Sequence, residues 1–123
     1  MHINIEKVSH QYETKQGMLP VLNDLSLSIK RKGFTAIVGP SGCGKSTITR
    51  LVSGLIKPTQ GSIFISNKKI TSPLSTVGMA FQNPVLLEWR NVIKNIILPL
   101  EIVSKNMTYN QKRSNALDLL KFC

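Results

Sequence analysis

The sequence predicts an α/β fold built on a phosphate-binding loop and entered through antiparallel strands. Three observations carry this. Residues 39–47 read Gly39-Pro40-Ser41-Gly42-Cys43-Gly44-Lys45-Ser46-Thr47, which satisfies the P-loop spacing of Gly, four residues, Gly, Lys, Ser or Thr. An apolar, β-rich run, Phe34-Thr35-Ala36-Ile37-Val38, stands directly before the loop, and apolar residues at helical spacing (Ile48, Leu51, Val52, Leu55) follow it. Further upstream, Ile3, Ile5 and Val8, then Leu25, Leu27 and Ile29, alternate with polar residues, the pattern of antiparallel strands with one wet face.

Each residue type in the loop has a chemical reason. Glycine allows positive φ and lets the backbone approach a phosphate with no Cβ between them. The N–H groups of residues 39–47 then point inward to cradle α- and β-phosphates, so Gly39, Ser41, Gly42, Cys43, Gly44, Lys45, Ser46 and Thr47 are the candidate nucleotide contacts. Lys45 brings a compact cation to the β/γ oxygens, and the Ser46 hydroxyl is placed to ligate Mg²⁺. A helix starting near Lys45 adds the positive end of its dipole.

Composition narrows the alternatives. At 123 residues and 41% hydrophobic, the chain is one globular domain or part of one. The net charge of +10 comes from residues spread along the chain, Lys30-Arg31-Lys32 excepted. One Trp and two Tyr do not make a stacking platform, so a nucleic-acid partner is not expected. The two cysteines, Cys43 and Cys123, have neither metal nor disulfide spacing, which suits a reducing compartment. No apolar signal segment opens the chain and no run approaches the ~18 apolar residues of a membrane span, so it reads as soluble or peripheral.

The remaining elements are read in order. Residues 13–17 form a loop, residues 46–56 a helix and residues 57–61 a turn. Ile63 and Ile65 mark a strand ended by Asn67-Lys68-Lys69. Residues 77–81 form a second buried strand broken by Gln82-Asn83-Pro84. Val92, Ile93, Ile96 and Ile97 make a helical stripe over residues 91–98. A last helix covers residues 109–122, with Ala116, Leu117 and Leu120 inward, Thr108 as N-cap and Gln111 completing a capping box.

With these residues in place, the chain resembles the N-terminal half of an ATP-binding cassette (ABC) transporter ATPase. Val8-Ser9-His10-Gln11-Tyr12 looks like the family's A-loop, and residues 39–47 like its Walker A loop. Residues 53–63 look like its helix exit and following strand, and Gly78-Met79-Ala80-Phe81-Gln82 like its Q-loop. Leu86-Leu87-Glu88-Trp89-Arg90-Asn91-Val92, followed by Asn95-Ile96 and Leu98-Pro99-Leu100-Glu101, is similar to the importer subgroup for nitrate, sulfonate, taurine and related solutes.

The resemblance implies that Tyr12 stacks on adenine and that Gln82 ligates Mg²⁺ or its water. From the residues alone, Tyr12 reads as a half-buried edge aromatic and Gln82 as a turn residue at a strand end. It further implies that residues 86–89 lie near the groove that receives the permease, whereas large apolar residues are core by default. The implied organisation is an antiparallel β and P-loop core over residues 1–81, then the Q-loop and the start of a helical subdomain over residues 82–123. The family's Leu-Ser-Gly-Gly-Gln-type signature, its Walker B Asp-Glu and its switch histidine are not found in residues 1–123, so the expectation is a truncated cassette.

The implied parent function is ATP-driven import of a small anion-type solute, using ATP and Mg²⁺. Its partners are a membrane permease and a second ATPase subunit, at the cytoplasmic face of the plasma membrane. Two other readings stay open. One is a nucleotide-binding fragment or remnant without turnover. The other is a guanylate-kinase-like enzyme, disfavoured because the P-loop does not follow the first strand and residues 66–75 contain no arginine.

Overall fold

The computed structural model describes residues 2–83, 85–104 and 106–122. Pro84, read above as helping to end the strand at residues 77–81, and Cys123 lie outside them. The chain forms two compact units, residues 1–78 and 79–123.

The first unit is a four-stranded antiparallel sheet covered by one helix. β1 (Ile3–Thr14) and β2 (Gly17–Ile29) make a long hairpin, and β3 (Gln60–Ile65) pairs with the other edge of β1. β4 (Lys68–Lys69) closes the order β2-β1-β3-β4. Residues 13–17 are therefore not an open loop. Thr14 faces Gly17 across a two-residue turn at Lys15-Gln16, and the Thr14 hydroxyl donates to the Gly17 carbonyl at 2.7 Å. β4 also escapes the sequence pattern. Ser66 and Asn67, at φ 50° and 64°, make a tight two-residue turn, so the chain reverses and pairs again where a strand end was expected.

The inward face of β1 reads Ile5, Val8, His10, a spacing of three and then two. The extra residue is a bulge at Lys7, whose φ is 47°, and pairing shifts register there on both sides. Gly61 is required opposite it: a Cβ at Gly61 would lie 2.3 Å from the Lys7 carbonyl oxygen. α1 (Lys45–Val52) lays Leu51 against Ile5, Val8 and Ile63, with Ile48 and Val52 beside it.

α1 is shorter than residues 46–56. It ends in a Schellman turn, with Gly54 at φ 77°, Gly54 N–H on the Leu51 carbonyl (3.1 Å) and Leu55 N–H on the Arg50 carbonyl (3.0 Å). Leu55 thus caps the helix instead of joining its buried stripe.

The run at residues 34–38 is not a strand here. Phe34 is 95% and Val38 87% exposed, and no described strand pairs with the run. An apolar run becomes a buried strand only between hydrogen-bonding neighbours, and no described strand of the sheet β2-β1-β3-β4 pairs with it. Residues 77–81 likewise form no ladder, with Phe81 half exposed.

The second unit packs α2 (Val92–Val103) on α3 (Tyr109–Leu120), with Ile97 and Ala116 fully buried. α2 runs five residues past the expected end and carries Pro99 inside it. Asn91 caps it by accepting from Lys94 N–H at 2.9 Å. Asn95 folds the preceding segment onto α2: its side chain accepts from Leu87 N–H (2.8 Å) and donates to the carbonyls of Leu87, Arg90 and Asn91. The expected capping box starts α3, with the Thr108 hydroxyl accepting from Gln111 N–H and the Gln111 side chain accepting from Thr108 N–H. Of the three residues expected inward on α3, only Ala116 is buried; Leu117 and Leu120 stay more than a third exposed. In the described unit α3 packs on a single partner, α2, and one contact line buries one row of side chains.

Candidate nucleotide-phosphate site

The loop at residues 39–47 has the backbone of an anion cradle. Gly42 and Gly44 take φ of 80° and 97°. Gly44 is the N-cap of α1 and supplies no side-chain oxygen, so the N–H groups of the first turn are left for an external acceptor. Two glycines are also needed for space. A Cβ at Gly44 would lie 2.9 Å from Leu22 Cδ2 and 3.1 Å from Val21 Cγ1, and one at Gly39 would lie 2.7 Å from Cys43 Sγ. Val21 and Leu22 thus press β2 against the loop, a contact that residue spacing could not reveal.

Lys45 curls back over the loop. Its Nζ donates to the carbonyls of Gly39 (2.8 Å) and Pro40 (2.6 Å) and lies 3.7 Å from Cys43 Sγ. Among the described residues no carboxylate pairs with it, so the full cation stays over the cradle. Ser41, Gly42, Cys43 and Ser46 are exposed. Thr47 is buried and points elsewhere: its hydroxyl lies 3.3 Å from the Tyr12 hydroxyl. Tyr12, on β1, is thereby tied to α1, and its ring stands perpendicular to that of His10 at 4.7 Å between centroids.

The structure therefore brings Tyr12 together with the loop. Gln82 belongs to the second unit, where it is exposed. Sequence reasoning did not single out His10; the signal available was its position two residues from Tyr12 on one strand.

The arrangement fits a polyphosphate: open first-turn N–H groups, a lysine bearing no counter-charge and glycines where a Cβ would intrude. It also fits a hard divalent cation bound jointly with that phosphate, through the exposed Ser46 hydroxyl. No group of His, Cys, Asp and Glu among the described residues would hold a metal by itself.

Comparison with known proteins gives one reading. The family model for ABC transporters matches residues 22–122. The bicarbonate transport ATP-binding protein CmpD of Synechocystis sp. is 37% identical over 118 residues, covering 96% of this chain and 42% of CmpD. The taurine import ATP-binding protein TauB of Yersinia pestis bv. Antiqua is 35% identical, covering 96% of this chain and 44% of TauB. Among solved structures, the ATP-binding cassette MJ0796, a dimer in a post-hydrolysis state bound to ADP and Pi, superposes with a TM-score of 0.87 at 29% identity. That match covers 97% of this chain and 56% of the cassette. The chain thus spans less than half the length of CmpD and TauB and 56% of the solved cassette.

Proposed function

The chain belongs to the ABC transporter family, and from that premise we propose that it contributes the nucleotide-binding part of an ATPase subunit driving import of a small anion-type solute. The observation that carries this is the geometry of residues 39–47: open first-turn amides beneath a lysine without a carboxylate partner.

In this reading Lys45 releases the Gly39 and Pro40 carbonyls and turns its ammonium onto the β/γ oxygens. The first-turn N–H groups of α1 hold the β-phosphate, with the helix dipole behind them. Tyr12 offers its ring to the adenine. The Ser46 hydroxyl would hold Mg²⁺, which would supply charge neutralisation on the phosphates.

The solute class follows the relatives, which are named for bicarbonate, taurine and aliphatic sulfonates. A permease and a second ATPase subunit are the proposed partners, at the inner face of the plasma membrane. No described helix is long and apolar enough to cross a membrane itself. Leu86 and Trp89 are exposed rather than core, which suits contact with a permease.

The deciding experiment is a fluorescent-nucleotide titration of the protein and its Lys45→Ala variant. Loss of ATP binding by ~2 kcal/mol or more is expected on removing a cation that faces phosphate. Equal affinities would overturn the assignment.

One observation favours binding without turnover for residues 1–123 by themselves. Of the six acidic residues, Glu6, Glu13 and Asp24 lie on β1 and β2, Glu101 is paired with Arg90 and Asp118 with Lys121. Glu88 is exposed in the segment preceding α2. None ends an apolar strand, the placement the family uses for its general base.

A further inference from the structure

We propose that His10 is a positioning residue for the base platform, setting the tilt of the Tyr12 ring before a nucleotide arrives. This rests on the nucleotide reading of the site. His10 is only 8% exposed, yet neither ring nitrogen has a hydrogen-bond partner among the described residues. Burying an unsatisfied imidazole is unfavourable, and a leucine or phenylalanine would fill an inward position of β1 without that cost. What His10 does make is a ring contact: it meets Tyr12 at 4.7 Å with the planes at 86°. Perpendicular aromatic pairs at this separation are attractive and directional.

The same strand places the two rings side by side. Val8, His10 and Tyr12 alternate along β1, and His10 pairs with Leu22 while Tyr12 pairs with Leu19 on β2. The Tyr12 ring is then held at two points. His10 stands against the ring, and the Thr47 hydroxyl, carried by the helix that follows the phosphate loop, lies 3.3 Å from the phenol oxygen. Two anchors from different elements leave the ring little freedom to rotate. A platform already ordered loses less entropy when a base stacks on it. His10 acts through Tyr12, since both its nitrogens are shielded from solvent and from any ligand on the surface.

Binding of ATP and of inorganic tripolyphosphate to the full chain separates the base-dependent part of affinity from the phosphate part. Variants His10→Ala, His10→Phe, His10→Leu and Tyr12→Ala, and the His10→Ala/Tyr12→Ala pair, are compared. His10→Ala is expected to weaken ATP by about 2- to 12-fold, the range that one aromatic pair supports, with tripolyphosphate unchanged. His10→Phe keeps a perpendicular ring and retains ATP affinity. His10→Leu fills the space without one and loses it, which covers the case where the alanine variant fails to fold. In the Tyr12→Ala background, His10→Ala has no further effect on ATP.

Equal weakening of ATP and tripolyphosphate would make His10 merely structural and overturn the proposal, as would ATP affinity unchanged in both His10→Ala and His10→Leu. If Tyr12→Ala itself leaves the ratio of the two affinities unchanged, the base-stacking reading of Tyr12 falls and His10 with it. If that ratio drops for Tyr12→Ala and holds for the His10 variants, only the role of His10 is refuted.

Discussion

Tyr12 illustrates how one residue's chemistry depends on what its neighbours do. Stacking needs a π-face, so Tyr12→Ala is expected to weaken ATP binding most, while Tyr12→Trp and Tyr12→Phe, which keep a face but lose the Thr47 anchor, retain most of it. The phenylalanine variant has a second, separate effect. It removes the partner of the buried Thr47 hydroxyl, so thermal unfolding is expected to show a loss of about 1 kcal/mol even where the nucleotide titration is unmoved. Similar ATP affinity for all four proteins would return Tyr12 to a packing role. Gly61 is a harsher case. It combines φ 81° with a Cβ position 2.3 Å from the Lys7 carbonyl oxygen, so alanine would have to open the bulge that β1 and β3 share. Urea denaturation of Gly61→Ala is expected to show a loss of about 2 kcal/mol or more, since strained backbone and steric displacement add. A midpoint equal to that of the parent protein would show that the bulge relaxes freely.

At the scale of elements, the second unit rests on polar side chains that fold loops onto helices. Asn95 satisfies four backbone groups of residues 87–91 with one amide. Asn95→Ala strands Leu87 N–H and the Arg90 carbonyl in a part-buried place, at about 1–3 kcal/mol. The segment bearing Leu86 and Trp89 would then detach from α2, and limited proteolysis should find new cleavage sites between residues 85 and 91. An unchanged digestion pattern would show that the Arg90–Glu101 ion pair, at 2.7 Å, holds the segment unaided. That outcome is not expected, because partly exposed ion pairs contribute little. The cap at Thr108 is a smaller contribution of the same kind: Thr108→Ala should lower stability by ~1 kcal/mol through loss of the reciprocal bonds with Gln111.

For the molecule as a whole, the expected behaviour of residues 1–123 alone is nucleotide binding without steady turnover, together with self-association. Phe34 and Val38 are almost wholly exposed, and a run of apolar residues with unpaired N–H and C=O groups recruits other chains. Among the described residues no carboxylate ends an apolar strand, the placement proposed above for a general base. Size-exclusion chromatography and phosphate release with Mg²⁺-ATP, beside a Lys45→Ala control, test both halves. A soluble monomer with Lys45-dependent turnover near ~1 per second, the low end for ordinary enzymes, would refute this view.

The sequence by itself determined the phosphate loop, the helix behind it, the antiparallel character of β1 and β2 and the cap of α3. All of these rest on local rules: glycine where φ must be positive, alternation where one face is wet, a hydroxyl before a helix. It also carried the family, because the residues of the loop and of the segments around it are contiguous in the chain. Only the tertiary structure decided what depends on partners distant in sequence. Residues 34–38 and 77–81 have strand composition but pair with no described strand, and a strand is defined by its neighbour. The bulge at Lys7 re-aims His10 and Tyr12. Gly44 is held against Val21 and Leu22. Thr47 turns from the loop towards Tyr12, and Leu117 and Leu120 stay uncovered because α3 lies against one helix. In each case the deciding contact joins segments that sequence periodicity treats separately.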